Sequence, residues 1–301
     1  MGKSKRNSGP KQGSNRAAKL AQREAERENL QAAPVRPFQG VAAECDLVAM
    51  REFVPSATAP LEVDGRAITL ATVLPGAVAA LVRDEGGASR GFAGLQVQVH
   101  SPNVAADLSS ALAWASLAQP GESLESAAPD GNTAALREVL DPTAQLDITV
   151  HQDFNWWLPE NSDPAPDVAA TVERANQAIM PSARLEGDGL VGAWWVDAGD
   201  KAHLRWVRPE SEDDLMLALA RLHAAGDLTL GEGSRYAGSF RTHGLLVPVF
   251  DLDNEMHPTE WVAPAQTFGA KLAEAVAVDA PLTSEQRRSR DGLRGRQVTL
   301  R

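Results

Sequence analysis

The chain has a single cysteine, Cys45, in 301 residues. No internal disulfide can form, which fits a reducing compartment. One cysteine and six scattered histidines also argue against a structural zinc site. Long apolar runs are missing too. The longest, such as Gly244–Phe250, fall far short of the roughly 20 residues of a membrane span. Lys3, Lys5 and Arg6 are not followed by an apolar stretch, so the N-terminus does not read as a secretion signal. No GxxxxGK[ST] phosphate loop occurs, and Gly86–Gly94 lacks its lysine. HExxH, GxSxG and paired CxxC are absent as well. No metal and no cofactor is expected, and the chain reads more as a non-enzyme than as an enzyme.

Hydrophobic residues make up 43% and charged residues 23%. That composition is ordinary for a folded protein, and excludes a wholly disordered or collagen-like chain. The formal charge of −11 conceals an asymmetry. Residues 1–36 carry +6, residues 37–280 carry −21 and residues 281–301 carry +4. The acidic body repels polyanions, whereas the two ends attract them.

Residues 1–15 are polar and rich in Gly, Ser and Pro, and are expected to be disordered. Residues 16–32 have helix-forming composition. A helix there would align Arg16, Lys19, Arg23 and Arg27 in one cationic stripe. With Lys3, Lys5, Arg6 and Lys11 these are the candidate nucleic-acid contacts. At the other end, Thr283 and Gln286 suggest a capping box, followed by Arg287, Arg288, Arg290, Arg294 and Arg296. No aromatic residue is interleaved there, so phosphate contact rather than base stacking is expected.

Between the ends, the pattern reads as α+β, with mixed sheets covered by helices. Strands are expected near 77–83, 92–100 and 145–151 and at Leu190–Val196, Ala202–Arg208 and Gly244–Phe250. Helices are expected at about 103–118, 133–140, 211–226 and 266–278, and Val168, Val172, Ala175 and Ile179 mark another that stops before Pro181. Ser211 is a candidate N-cap, with Glu212, Asp213 and Asp214 in the first turn, and Gly226 a natural stop. Each half shows hairpin, helix, strand, helix. A shift of 107 residues lays Pro102, Asp107, Leu108, Ala111, Leu112 and Ala113 on Pro209, Asp214, Leu215, Ala218, Leu219 and Ala220. The expectation is two tandem repeats, 37–181 and 182–281, between a basic tail at 1–36 and a basic segment at 282–301. Seven tryptophans include the adjacent pairs Trp156–Trp157 and Trp194–Trp195. Neighbours on a strand face opposite sides, so the two members of a pair must enter different environments.

Arg235–His243 is the densest polar and aromatic cluster, with the only tyrosine. Arg235, Tyr236, Arg241 and His243 form a candidate anionic-ligand site, read as a loop at a strand end near Trp194 or Trp195. The competing reading pairs these arginines with local acids and makes His243 a turn residue. Asp251, Asp253, Glu255 and His257 alternate and would share a face only if the chain stayed extended; a solvated turn is the expectation.

Glu44-Cys-Asp-Leu-Val-Ala-Met-Arg-Glu-Phe-Val-Pro55, Leu222-His-Ala-Ala-Gly226 and Arg235-Tyr-Ala-Gly-Ser-Phe-Arg-Thr-His-Gly-Leu-Leu-Val-Pro248 resemble a domain-of-unknown-function family of actinobacteria. The resemblance covers about 37–280 and includes the basic tail. It implies a cytoplasmic actinobacterial protein and supplies no catalytic residues. Some similar proteins carry a preprotein translocase ATPase label, which does not transfer, because the phosphate loop of such a motor is missing. The leading expectation is therefore a cytoplasmic protein whose basic ends contact RNA, DNA or a ribonucleoprotein. A small anionic-ligand module and a structural assembly partner are the alternatives.

Overall fold

A computed structural model describes residues 34–159 and 162–299. Its first helix, α1 (Glu44–Glu52), is apolar or paired on every side, and Glu44 through Met50 are all buried. Sheet A follows. β1 (Ala57–Val63) and β2 (Arg66–Ala71) form a hairpin, as do β3 (Ala80–Glu85) and β4 (Ala88–Gly94). Asp64-Gly65 and Gly86-Gly87 take positive φ at the two turns, as a two-residue type I′ connection requires. After helix α2 (Val104–Leu117) come the short β5 (Ser123–Leu124), α3 (Leu136–Val139), β6 (Thr149–Val150) and α4 (Pro166–Ala178). The strand order is β5-β3-β4-β2-β1-β6, with β2 and β4 parallel.

Sheet B begins with the meander β7 (Ser182–Arg184), β8 (Ala193–Asp197) and β9 (Ala202–Trp206). Helix α5 (Glu212–Ala225), hairpin β10 (Ser234–Thr242) and β11 (Leu245–Leu252), helices α6 (Val262–Val276) and α7 (Ser284–Arg294), and β12 (Gln297–Thr299) complete it. Its order is β12-β10-β11-β9-β8-β7, with only β10 and β12 parallel. The expected caps are present. Ser211 Oγ accepts from Asp214 N at 3.2 Å, Gly226 closes α5 at φ 78°, and Thr283 and Gln286 form a capping box on α7.

The fold is α+β with mixed sheets covered by helices, as expected, and the sheets are two rather than one continuous sheet. The expected order of elements recurs only in part, since β5 and α3 stand between α2 and β6 whereas the hairpin β10–β11 follows α5 directly, and the pairing differs as well. In sheet A the β3–β4 hairpin is flanked by β2, which precedes it and runs parallel to β4. In sheet B the β8–β9 hairpin is flanked by β11, which follows α5 and runs antiparallel to β9. The strand expected to match β11 is β6, and it pairs with β1 at the sheet edge.

Helix α1 lies in the core shared by both sheets. Leu47, Val48 and Met50 belong to one cluster with Ala57, Ile68 and Leu70 of sheet A and Trp194, Val196, Val207 and Val247 of sheet B. The opposite face of sheet B packs Trp195, Leu204, Trp206 and Phe250 under α5 and α6. Trp194 and Trp195 thus enter different cores, as strand alternation demands. Trp156 and Trp157 sit instead in a 3₁₀ turn, with their indole N–H groups on Ser56 Oγ and Val73 O.

Polar groups fix the position of α1. Asp46 has no exposed surface; its carboxylate accepts from Arg184 Nη2 at 2.8 Å and Trp194 Nε1 at 3.3 Å. Glu44 takes a two-pronged bond from Arg36 at 2.6 and 2.7 Å. At the far end, Gln96 Nε2 donates to the carbonyls of Met50 and Val54 at 2.6 and 2.7 Å. Gly192, at φ +67°, lets sheet B approach closely, since a Cβ there would lie 2.7 Å from Cys45 Cβ and 2.9 Å from Val207 O.

Asp46→Ala removes the buried carboxylate that holds the partly buried Arg184 guanidinium, leaving it only the exposed Glu186, and is expected to cost about 3 kcal/mol of unfolding free energy in urea titration. Asp46→Ala with Arg184→Met is expected to recover at least half of that loss. A single-mutant cost under about 1 kcal/mol, typical of an exposed pair, would contradict the buried-pair reading.

Candidate functional site

Arg235–His243 is not a loop. Ser234–Thr242 is strand β10, and its irregular register between Tyr236 and Gly238 marks a bulge. The alternation of a strand sends the candidate residues apart. Arg235 is well exposed and pairs with Asp251 at 2.7 Å. Tyr236 points into the helix-covered core against Phe250, where burial raises its pKa. Arg241 grips Glu212, in the first turn of α5, through Nε at 2.5 Å and through Nη2. His243 occupies the β10–β11 turn at φ 47° and meets Glu52 Oε1 at 2.7 Å. Trp194 is sealed against α1. The structure therefore does not gather these residues into one site. Trp195 borders a cavity of about 470 Å³, beside Arg184, His257 and Val262.

The alternating acids after β11 do not share a face either, because the chain turns after Leu252. Asp253 Oδ1 accepts from Glu255 N, and His257 Nδ1 caps the next turn at Thr259. Among the described residues no group of three or more His, Cys, Asp and Glu is arranged to hold a metal.

Asp251 instead gathers cations. It accepts from Lys201 at 2.8 Å and Arg235 at 2.7 Å, with His203 Nδ1 at 3.3 Å. β-sheet register explains the cluster: Asp251 stands opposite His203 on β9 and opposite Arg235 on β10. Burial opposes ionisation of Asp251, but Lys201 and Arg235 hold its pKa below the ordinary aspartate value. Burial lowers the pKa of His203, against the pull of Asp251. One step along the same face stands Arg205, opposite Val249, its guanidinium 5.4 Å from the centre of the Phe53 ring. This row could not be found from sequence, since pairing of β9 with β11 spans a helix and a hairpin.

The basic candidates Lys3, Lys5, Arg6, Lys11, Arg16, Lys19, Arg23 and Arg27 lie outside the described residues. The C-terminal segment packs on the folded body. α7 seats Leu293 in the helix-covered core, and β12 adds to sheet B beside β10. Arg287 donates to Leu282 O at 2.6 Å, Arg290 meets Asp291 at 3.0 Å and Arg294 approaches Asp213 at 3.8 Å. Arg288 and Arg296 are exposed, with no acid partner among the described residues.

Residues 37–301 match the model of a family of unknown function, DUF5926. The chain belongs to this family. No curated protein and no solved structure matches it. Among the described residues no helix is long and apolar enough to cross a membrane.

Glu52 supplies a pH test of the tie between α1 and the β10–β11 turn. Burial raises its pKa, but His243 and Arg51 outweigh this and hold the folded value below the ordinary glutamate value. A depressed carboxylate pKa stabilises the fold above the unfolded pKa, and that contribution disappears as pH falls through the folded value. Urea stability is thus expected to drop as pH falls below about 4.5 by more in the wild type than in Glu52→Gln. Parallel pH profiles for the two proteins would contradict this.

Proposed function

We propose that this family member is a cytoplasmic, non-enzymatic protein that contacts RNA or a ribonucleoprotein through its basic ends. The carrying observation is the charge layout, +6 over residues 1–36 and −21 over residues 37–280. An acidic body discourages broad, nonspecific adhesion to polyanions, and a cationic segment concentrates contact at one place. The anchored α7 supports a secondary role for the C-terminal end. Its arginines are held in fixed positions, and several already have partners, so fewer are free for phosphate.

Binding of this kind is driven by counterion release and weakens steeply with salt. Fluorescence anisotropy with a labelled single-stranded RNA is expected to give a log K against log salt slope of about −4 for six phosphate contacts. Deleting residues 1–33 is expected to abolish binding at low salt, while Arg288→Glu with Arg296→Glu weakens it only a few-fold. No binding at low salt, or undiminished binding after the deletion, would overturn the reading.

A further inference from the structure

Most arginines of the folded body have fixed partners. Arg184 bonds Asp46, Arg208 bonds Glu210, and Arg66 and Arg221 donate to helix-end carbonyls. Arg205 differs. It is half-buried in the middle of sheet B, yet none of its donors reaches a carboxylate or carbonyl among the described residues. Its guanidinium is steadied by Phe53, just past the end of α1. A guanidinium packed on an aromatic ring keeps its N–H fork available for a planar or tetrahedral oxyanion.

The neighbours reinforce this. His203 lies two residues away on the same face, and Lys201 and Arg235 reach the same patch through Asp251. Strand geometry puts His203 and Arg205 about 7 Å apart along the strand, a span one phosphate and its ester oxygens can bridge. Lys201 and Arg235 remain about half and three-quarters exposed, with 51% and 73% of their side-chain surface open, so both keep donors free. Two permanent cations, Lys201 and Arg235, face the Asp251 carboxylate, and Arg205 stands one step along the same face opposite Val249, within a body that is strongly acidic elsewhere.

We propose that Arg205, with His203, Lys201 and Arg235 around it, forms a phosphate-binding patch on the face of sheet B beyond the end of α1. The phosphate comes either from the backbone of RNA or from a small free phosphate compound. The RNA source rests on the polyanion reading above; the phosphate chemistry does not. Asp251 engages Lys201 and Arg235 and competes with an incoming anion for them. Removing its charge therefore strengthens the patch, the opposite of what a purely structural ion pair would show.

The test uses the full chain with two probes, inorganic pyrophosphate by calorimetry and a labelled oligouridylate by anisotropy, at low salt. Arg205→Ala is expected to weaken pyrophosphate binding about tenfold, and Arg235→Ala, a change at an exposed side chain, several-fold. Asp251→Asn is expected to tighten it roughly threefold to tenfold. If the oligouridylate follows the same order, RNA backbone is the source; if only pyrophosphate does, the source is a small phosphate. No pyrophosphate binding by the wild type, or binding indifferent to all three substitutions, overturns the patch. In that case, loss of RNA binding on deleting residues 1–33 would leave the tail reading standing. RNA binding absent throughout, with pyrophosphate obeying the order, would keep the patch and overturn the tail reading.

Discussion

The structure depends on one carboxylate kept out of water. Asp46 projects from α1, with its own chain joined to sheet A, and is satisfied by Arg184 and Trp194 of sheet B. Burial pushes the pKa of Asp46 up while Arg184 and Trp194 pull it down, and burial is the larger influence. Such a group tolerates only one arrangement of its partners, because a displaced guanidinium would leave a buried charge uncompensated. A hydrophobic contact between the two sheets could slide; this one cannot. The Gly192 approach to Cys45 imposes the same register sterically, from the other direction of the same strand pair. Burial also pushes the Cys45 thiol up to about 12, so the only cysteine serves as a small packing group.

From this anchor the surface features follow. With α1 fixed, its C-terminal end places Glu52 against His243 and Phe53 against both Phe240 and Arg205. Arg205 therefore owes its position to a helix that is buried against both sheets. His203 and Arg205 of β9 and Arg235 of β10, with Asp251 of β11 between the strands, lie on the sheet face beyond the end of that helix. The link from sequence to function runs through a packing constraint rather than through a local motif.

Elements with local signals were legible in the sequence. α5 was bounded by Ser211 and Gly226, α6 by the spacing of Phe268 and Leu272, and α7 by its capping box. The opposite burial of Trp194 and Trp195 followed from strand alternation alone. Others were hidden for physical reasons. α1 has no amphipathic period to detect, because it is covered on both sides and its acids are paired internally. The β1–β2 hairpin carries one local sign, Asp64-Gly65, between short strands of mixed polarity. β10 looked like a loop because a bulge and two outward arginines break its alternation. The shared element order suggested duplication, but strand pairing is decided by long-range contacts that identities at Leu and Ala cannot report. The candidate site suffered most. Arg235 was singled out, whereas Lys201, His203 and Arg205 join it only through sheet register.

Hydrogen exchange under increasing urea tests the central claim most directly. If α1 makes the two sheets one cooperative body, the slowest amides of α1, of β2 in sheet A and of β9 in sheet B will open at a common free energy, and Asp46→Ala will lower all three together. Sheet A amides exchanging through a distinctly cheaper opening while β9 stays protected, or a substitution at Asp46 felt on one sheet only, would show two independent units and contradict the account.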